Sequence, residues 1–526
     1  MNKRYLYSFI IFVLALVSVG ALAYVLSNKT VAIEKYNPLD RPPKIKPDYS
    51  GTVIPPNIAP LNFFIQENGL HYFVKIYSKQ TEPLEVSSRS PKITIPPKLW
   101  HKLLDKNRGE NLNFDVFVKR PAGQWEKFQT ITNKIARENI DPFLVYRKIY
   151  PIHNTWSKIG IYQRNLENYD EALILNNHYY DKGCLNCHTF CANQTEKMLI
   201  GIRSYKYGNS ALLVENGKPE KIDARFGYTS WHPSGRLAVY TINKTRQFFH
   251  SLRNEVRDVV DLDSALAYYL LDSRAVKTTP DFSRKDYLET YPAWSADGRY
   301  LYFCSAKMLW SDLNQVPPQN YDQLKYDLVR TAYDIETNTW GQLQTILSAE
   351  DTGLSILEPR ISPDGRWLLF CMCDYGCFPV YQKSSDLYLI DLEKARRTGR
   401  YDYRRLNINS QQSESWHSWS TNSRWIAFSS KRHYGVFTRS YFSYIDPSGR
   451  VYKPLILPQK DPLFYDTCLK TYSVPELVVE PVKVKKEKLG RVIRSSRKIP
   501  VELPVTMATP SAETASPYEE HWQQRE

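Results

Sequence analysis

The most restrictive feature of this sequence is a turn-and-strand motif that recurs through its second half. Each copy joins a tight turn of the Ser-Pro-Asp-Gly type to an apolar strand, a combination typical of a β-hairpin. The copies occupy residues 229–240, 292–303, 359–370 and 418–428. Successive turns lie about sixty residues apart, which leaves room for a four-stranded sheet and inserted loops in each unit. Repeated four-stranded sheets that cannot bury both faces alone close into a β-propeller.

A second signature follows each of these hairpins. It is a short, mostly apolar strand that contains an aspartate, at residues 263–268, 326–330, 385–391 and 441–446. The pair of signatures resembles the TolB-like β-propeller family over roughly residues 185–460. The resemblance implies an all-β propeller and leaves the substrate open, because such propellers serve many functions.

The propeller is predicted to span residues 138–470 and to have about six blades. Residues 190–202 can be laid over the hairpin at 294–303, with Asn193 near the turn and Met198 at the start of the next strand. That match adds a fifth blade to the four hairpins. Residues 138–182 would complete a sixth.

Cys184, Cys187 and His188 have the Cys-x-x-Cys-His spacing that is used to attach c-type haem. Each thiol can form a thioether to one vinyl group of the porphyrin, and the adjacent imidazole reaches the iron as an axial ligand. A redox-active thiol pair, half of a zinc site and a disulfide are the alternatives. The zinc alternative lacks a second Cys-x-x-Cys or His-x3-His partner. We therefore expect one covalent haem c, and the whole arrangement resembles a bacterial TolB-like subgroup with a haem motif inside the propeller.

The second axial position of the iron has several candidates. Met198 lies ten residues after His188, and a thioether ligand would raise the reduction potential. A methionine packed in the core is the alternative for this residue. His178, His232 and His417 are further candidates, although each also fits an ordinary turn or core histidine. Two protein ligands would favour electron transfer, whereas an open position would favour ligand sensing or peroxide chemistry.

The N-terminus indicates export. Residues 5–28 carry no charge and follow Lys3 and Arg4, so residues 1–28 are predicted to be a transmembrane signal anchor, with a cleaved signal peptide as the alternative. Either places the chain in the bacterial cell envelope, and the anchor would hold it at the inner membrane with its domains in the periplasm. Covalent haem attachment takes place on that side of the membrane.

Three further segments complete the predicted organisation. Residues 29–58 are rich in proline and are expected to form an extended linker. Residues 59–137 alternate short apolar runs with turns, which predicts a small β-sandwich-like domain. Residues 471–526 have little periodicity and are expected to form a disordered tail.

The remaining cysteines and basic residues suggest structural roles. Cys371, Cys373 and Cys377 are expected to form one or two disulfides in an exported protein, with metal binding as the alternative. Cys304 occupies the place of Cys371 in the preceding blade, and Cys191 is expected to be bridged or buried.

The net charge of +15 favours acidic partners or headgroups, not nucleic acid, because no basic patch or nucleic-acid fold signature is present. Two basic sets could line a face for acidic ligands or brace blade carboxylates: residues 429–433, and the turn arginines Arg236, Arg299, Arg366 and Arg424.

Three functions stay open on these grounds. The first is a membrane-anchored periplasmic propeller that presents one haem for electron transfer to an envelope protein partner. The second is a non-enzymatic envelope scaffold or binding propeller with structural haem or none, and the third is a haem peroxidase or gas sensor. The sequence contains no Gly-x-Ser-x-Gly elbow, His-Glu-x-x-His motif or phosphate loop, so we expect no enzyme of those classes.

Overall fold

The computed structural model describes residues 33–150, 158–251 and 255–500, except the side chains of Asn186 and Cys187. These residues form two compact units. The first unit runs to Arg137 and takes in Pro458–Thr467, and the second comprises Glu138–Leu457 with the chain from Cys468 onward. The predicted anchor, residues 1–28, lies outside the described residues. Across the described ranges, no helix combines the length and the apolar character required to cross a membrane.

The first unit is built from two β-sheets. A helix at Pro97–Lys106 buries Trp100, Leu103 and Leu104, and a short helix at Phe464–Thr467 comes from the returning segment. The seven-stranded sheet contains β1 (Asn37–Pro38), β3 (Val53–Ile54), β5 (His71–Tyr77), β6 (Leu84–Ser88), β8 (Asn111–Lys119), β9 (Trp125–Lys127) and β10 (Ile131–Ile135). The three-stranded sheet contains β2 (Ile45–Lys46), β4 (Phe63–Ile65) and β7 (Lys92–Ile93).

The predicted linker at residues 29–58 is wrong for its described part. β1 pairs with β9, β2 pairs with β4, and β3 pairs with β10, so this segment belongs to both sheets of the first unit. Ile45, Tyr49, Val53 and Ile54 are buried. Proline restricts a segment to extended backbone, which excludes helices but allows short edge strands when apolar residues lie between the prolines.

The second unit consists of six sheets that follow one another along the chain, which matches the predicted number of blades. Blade one contains β11 (Phe143–Ile149), β12 (Gly160–Asn165), β13 (Glu171–Asn176) and β35 (Thr471–Val478). Blade two contains β14 (Cys184–Cys191), β15 (Gln194–Arg203), β16 (Ser210–Glu215) and β17 (Lys218–Ile222). Blade three contains β18 (Thr229–Trp231), β19 (Leu237–Phe249), β20 (Arg257–Leu270) and β21 (Ala275–Lys277).

Blades five and six also have four strands, and blade four has five. Blade four contains β22 (Tyr287–Trp294), β23 (Tyr300–Lys307), β24 (Asp327–Asp334), β25 (Thr339–Trp340) and β26 (Gln344–Leu347). Blade five contains β27 (Ser355–Ile361), β28 (Trp367–Cys373), β29 (Asp386–Asp391) and β30 (Tyr403–Arg405). Blade six contains β31 (Glu414–Trp419), β32 (Trp425–Ser430), β33 (Arg439–Tyr444) and β34 (Leu455–Ile456). Short helices lie at Ala349–Thr352, Leu392–Thr398, Asn177–Tyr179, Tyr321–Gln323 and Pro379–Tyr381.

The inner strands of the blades form a closed ring. They contact one another in the order β14, β18, β22, β27, β31 and β35, and β35 contacts β14 again. Every residue of β28 is buried, because both faces of a blade are covered by its neighbours. The fold is therefore an all-β, propeller-like one, with its core between successive blades.

Blade one joins the two ends of this unit, because β35 pairs with β11. The predicted disordered tail is consequently wrong for residues 471–500. β35 supplies the inner strand of a blade, and a helix at Lys486–Arg494 buries Leu489 and Ile493. Hydrophobic periodicity is short in both segments, so neither stands out until its partner strands are in place. Residues 501–526 lie outside the described residues.

Candidate functional site

The haem-type motif lies in the first hairpin of blade two. β14 and β15 form this hairpin, and Asn193 occupies the connecting turn with a φ of 60°. Asparagine tolerates this left-handed conformation better than most residues. The prediction that residues 190–202 form a blade hairpin with Asn193 near its turn is thereby confirmed.

The backbone of the motif carries a β-bulge. Asn186 pairs with Gly201 and His188 pairs with Ile200, so Cys187 is the additional residue on β14. The inner strands of other blades are irregular at the same place, where Tyr291, Glu358, Trp416 and Val474 have positive φ values. The Cys-x-x-Cys-His segment therefore has the backbone register of an ordinary inner blade strand.

His188 has the properties of a neutral ligand. Its side chain is 2% exposed, and burial, reinforced by the positive charge of Arg147, lowers its pKa to about 3. Nε2 has no hydrogen-bond partner among the described residues, whereas backbone groups of Val145 and Val474 lie within hydrogen-bonding reach of the ring. Nε2 is therefore the ring nitrogen that a neutral imidazole could offer to a metal.

Cys184 and His188 lie near each other, because the positive charge of Arg147 lowers the pKa of both side chains. The Cys184 thiol is free and buried. Burial raises its pKa, and the charges of Arg203, Arg147 and Arg225 only partly oppose that rise. A free thiol near a neutral imidazole with an unpartnered nitrogen matches two of the three side chains that a c-type haem requires, and the third, that of Cys187, lies outside the described part of the structure.

The other predicted iron ligands have different surroundings. Met198 is 1% exposed and packs in the core between blades one and two with Ile200 and Ile202. His178 is exposed. His232 has partners on both nitrogens, Ser234 Oγ at 2.7 Å and the Gly298 carbonyl at 3.1 Å. Met198 therefore packs in the core, and His232 is an ordinary turn histidine, which are the alternatives to iron ligation given for these two residues.

A second group of polar side chains lies at the centre of the ring. The rings of Tyr228 and Tyr291 stack at 4.1 Å, and Trp416 lies 5.6 Å from Tyr228, so aromatic residues of blades three, four and six meet there. A small cavity of about 10 Å³, large enough for about one water molecule, adjoins this cluster. It is lined by Tyr291, Glu358, Arg360, Trp416, His417, Val474, Pro475 and Glu476.

Two acids in this cavity are strongly perturbed. Burial raises the pKa of Glu358 and that of Glu476 to about 7, and the charge of Arg360 opposes the shift in both. Strongly perturbed groups in a concave site are typical of functional positions. The sequence analysis predicted neither acid. The local signal that could have found them is the proline next to each one, Pro359 after Glu358 and Pro475 before Glu476.

His417 brings a cysteine into the same cluster. Glu358, Cys371 and His417 are buried, and one ligand atom of each lies within 4.8 Å of the others. The Cys371 Sγ is 3.6 Å from Glu358 Oε2 and 3.7 Å from His417 Nδ1. β27 and β28 of one hairpin position Glu358 and Cys371 next to each other, and β31 of the next blade adds His417, 46 residues after Cys371.

The expected disulfides are not formed among the described cysteines, all of which are free thiols. Cys371, Cys373 and Cys377 contact different groups: Glu358, the Tyr375 carbonyl and the Val259 carbonyl. Cys304 is buried and pairs with Thr290 just before the bulge of its blade, as Cys371 pairs with Leu357, so the equivalence of the two cysteines is confirmed.

Members of both basic sets, Arg236, Arg366, Lys431 and Arg432, brace carboxylates, as one of the two alternatives predicts. Arg366 contacts Asp391 at 3.5 Å, and Arg236 contacts Asp272 at 3.3 Å. Within 429–433, Lys431 pairs with Glu255, and Arg432 pairs with Glu414 at 2.9 Å.

No protein-family model matches this chain, and no curated protein matches it in sequence. Luciferin-regenerating enzyme is a similar solved structure, with 10% identity and a TM-score of 0.35 over 66% of this chain and 92% of that one. Oligogalacturonate lyase from Vibrio parahaemolyticus has 12% identity and a TM-score of 0.32, over 65% and 88%. Hydrazine synthase from Kuenenia stuttgartiensis has 14% identity and a TM-score of 0.29, over 51% and 64%. These likenesses concern the fold alone.

Proposed function

We propose that this chain is a TolB-like propeller that carries one covalent haem c and transfers electrons in the bacterial cell envelope. Cys184 and Cys187 would form the thioethers, and His188 would be the axial ligand. The observation that supports this most is the buried His188 imidazole, which is neutral and has no partner at Nε2 among the described residues, inside a Cys-x-x-Cys-His sequence.

The bound haem would supply one-electron transfer, at a potential set by its axial ligands and its burial. The protein contributes the remaining features. The backbone groups of Val145 and Val474 beside the imidazole would restrict its orientation. The packing of β14 between its neighbours excludes water from His188.

The envelope location of this proposal rests on residues 1–28. An uncharged segment behind Lys3 and Arg4 would anchor the chain in the inner membrane, with the propeller in the periplasm. A net charge of +15 would favour an acidic envelope protein as electron donor or acceptor, because complementary charge accelerates encounter.

The second candidate is an envelope scaffold or binding propeller without a haem. It is favoured by the register of β14, which is hydrogen-bonded as an ordinary inner strand with its bulge in the usual place. In that case Cys184 and His188 would serve only to fill the core between blades.

Covalent haem staining separates the two candidates. The full chain would be produced in cells that mature c-type cytochromes, boiled, and extracted with acid acetone. We expect the haem to stay with the chain, and the Cys184→Ala/Cys187→Ala variant to lose it. Cys191→Ala is the matched control, because it removes another buried thiol of the same strand outside the motif. Complete extraction of the pigment from the unaltered chain, or its absence, would eliminate the haem proposal and leave the scaffold.

A further inference from the structure

The cluster of Glu358, Cys371 and His417 has the dimensions of a metal site. Zn–S bonds of about 2.3 Å and Zn–N bonds of about 2.0 Å at a tetrahedral angle place sulfur and nitrogen about 3.5 Å apart. The Cys371 Sγ and the His417 Nδ1 are 3.7 Å apart, and the distance from Sγ to Glu358 Oε2 is 3.6 Å. The three side chains therefore need little movement to hold one ion.

The histidine is oriented for this role by a second contact. His417 Nε2 lies 3.1 Å from the carbonyl of Leu369 and donates its proton there. Nδ1 then carries the lone pair and faces Cys371. Ligand histidines in metal proteins commonly donate their other ring N–H to a carbonyl or carboxylate in this way, which fixes the tautomer.

The carboxylate provides an independent indication of a ligand. Glu358 is 4% exposed, its Oε2 accepts a hydrogen bond of 2.6 Å from the backbone N–H of Trp416, and its Oε1 is buried with no partner in the described chain. A buried carboxylate oxygen without a partner is costly unless an ion or another donor satisfies it. Glu358 also lies in the bulge of its strand with a φ of 54°. Strained backbone of this kind is concentrated at functional sites.

We propose that Glu358, Cys371 and His417 bind a zinc ion at the centre of the propeller. A thiolate, an imidazole and a carboxylate select zinc over magnesium or calcium, which prefer oxygen ligands alone. A divalent ion bound by one thiolate and one carboxylate also leaves the buried site without net charge, which removes the penalty of burying separate charges.

Three protein ligands leave the fourth zinc position open. Glu358 and His417 line the central cavity, together with Tyr291, Arg360 and Glu476. A water molecule would reach the metal from this side, where the guanidinium of Arg360 is the nearby positive group. Three protein ligands and one exchangeable position are the arrangement of reactive zinc sites, whereas structural zinc sites have four protein ligands.

The test measures metal binding directly. The full chain carrying Cys184→Ala and Cys187→Ala would be used, because this background removes haem absorbance and a competing thiol pair. We expect one zinc per chain by elemental analysis, and a thiolate-to-metal charge-transfer band when cobalt replaces zinc. Cys371→Ser should remove the band and weaken zinc binding at least about tenfold.

Cys304→Ser is the matched control, because Cys304 is an equally buried thiol at the same place in the neighbouring blade. It should keep both the zinc and the band. If Cys371→Ser does not fold, two other measurements test the site: the cobalt spectrum of the parent chain, which should show the thiolate band, and the zinc affinity of His417→Gln, which should be weaker. A parent chain without zinc or without the cobalt–thiolate band would overturn the proposal, as would unchanged affinity in Cys371→Ser. Because the parent chain cannot attach haem, failure here is distinct from failure of the haem proposal.

Discussion

Phe143 and Val478 are paired across two adjacent strands, although they lie at opposite ends of the propeller unit. This pair is the first in a ladder in which β35 provides the inner strand of the blade that β11 begins. The ring thus closes through hydrogen bonds between the two ends of the unit.

Removal of the closing strand should unfold the propeller. A chain that ends at residue 470 loses β35, and β11 is left with an unpaired edge beside exposed core residues. We expect it to lose the cooperative thermal transition of the propeller in circular dichroism. A chain that ends at residue 500 retains β35, the helix at Lys486–Arg494 and the bridge from Ile222 to Ile499, and should unfold like the full chain. Equal behaviour of the two truncations would contradict this closure.

A buried carboxylate should stabilise the same closure. Asp141 is 5% exposed and accepts hydrogen bonds from the Thr421 backbone N–H at 2.9 Å and from its hydroxyl at 2.6 Å. Asp141→Ala should lower the free energy of unfolding by about 2–4 kcal/mol, because it leaves both donors without their acceptor. Thr421→Val removes only the hydroxyl and should cost about 1 kcal/mol. Urea unfolding measures both, and a larger loss in Thr421→Val would refute this assignment.

Asp261 should make the protein less stable as the pH rises. Burial raises its pKa from 3.8 to about 6, and the hydrogen bonds from Thr245 and Asn243 only partly oppose that shift. Because the folded pKa is above the unfolded one, the folded state binds the proton more tightly, and stability falls between about pH 4 and pH 6. The expected loss is about 3 kcal/mol, from about 1.4 kcal/mol for each pKa unit.

Asp261→Asn should remove most of that pH dependence in thermal unfolding at pH 4.5 and pH 7.5. Asp272→Asn is the control, because its side chain is 74% exposed. If the two variants had the same pH profile, the assignment to Asp261 would be incorrect.

Gly298 should not tolerate a side chain. It has a φ of 73°, and a β-carbon there would lie 2.2 Å from Nε2 of His232. Gly298→Ala should cost about 2–5 kcal/mol, from about 1–2 kcal/mol of backbone strain and the remainder from overlap. Gly353→Ala, at a φ of 70° with nothing within 4 Å, should cost only the strain of about 1–2 kcal/mol. Equal costs in thermal unfolding would show that the overlap is relieved.

His188→Ala should alter the haem without unfolding the first unit. Under the proposed function the two thioethers stay, so the pigment remains attached while its absorption spectrum changes through loss of the axial ligand. His178→Ala, which removes an exposed imidazole nearby, should leave the spectrum unchanged. Residues 59–137 should resist limited proteolysis in both variants, because they belong to a separate compact unit. Rapid cleavage there in His188→Ala would show that the units do not fold independently.

The blade hairpins could be predicted from the sequence because they are local. Ser362 Oγ contacts Asp364 Oδ1 at 2.5 Å, and the Gly365 N–H donates to the Ser362 carbonyl at 2.8 Å, so the turn is formed by residues within three positions of one another. The repeat of such turns predicted the propeller and four of its blades, and the other two were added from residues 190–202 and 138–182. The Cys-x-x-Cys-His motif likewise predicts a haem from five consecutive residues.

Features that depend on contacts between distant segments required the tertiary structure. Residues 33–58 and 471–478 have weak local patterns, and their strands form only by pairing with β4, β9, β10 or β11. Glu358, Cys371 and His417 become neighbours only when blades five and six pack together. The sequence by itself determined where the chain turns and which faces are apolar, since those depend on neighbouring residues. The tertiary structure decided which strand closes the ring and which buried groups meet at its centre, since hydrogen bonding and burial at those places come from strands that are not neighbours in the sequence.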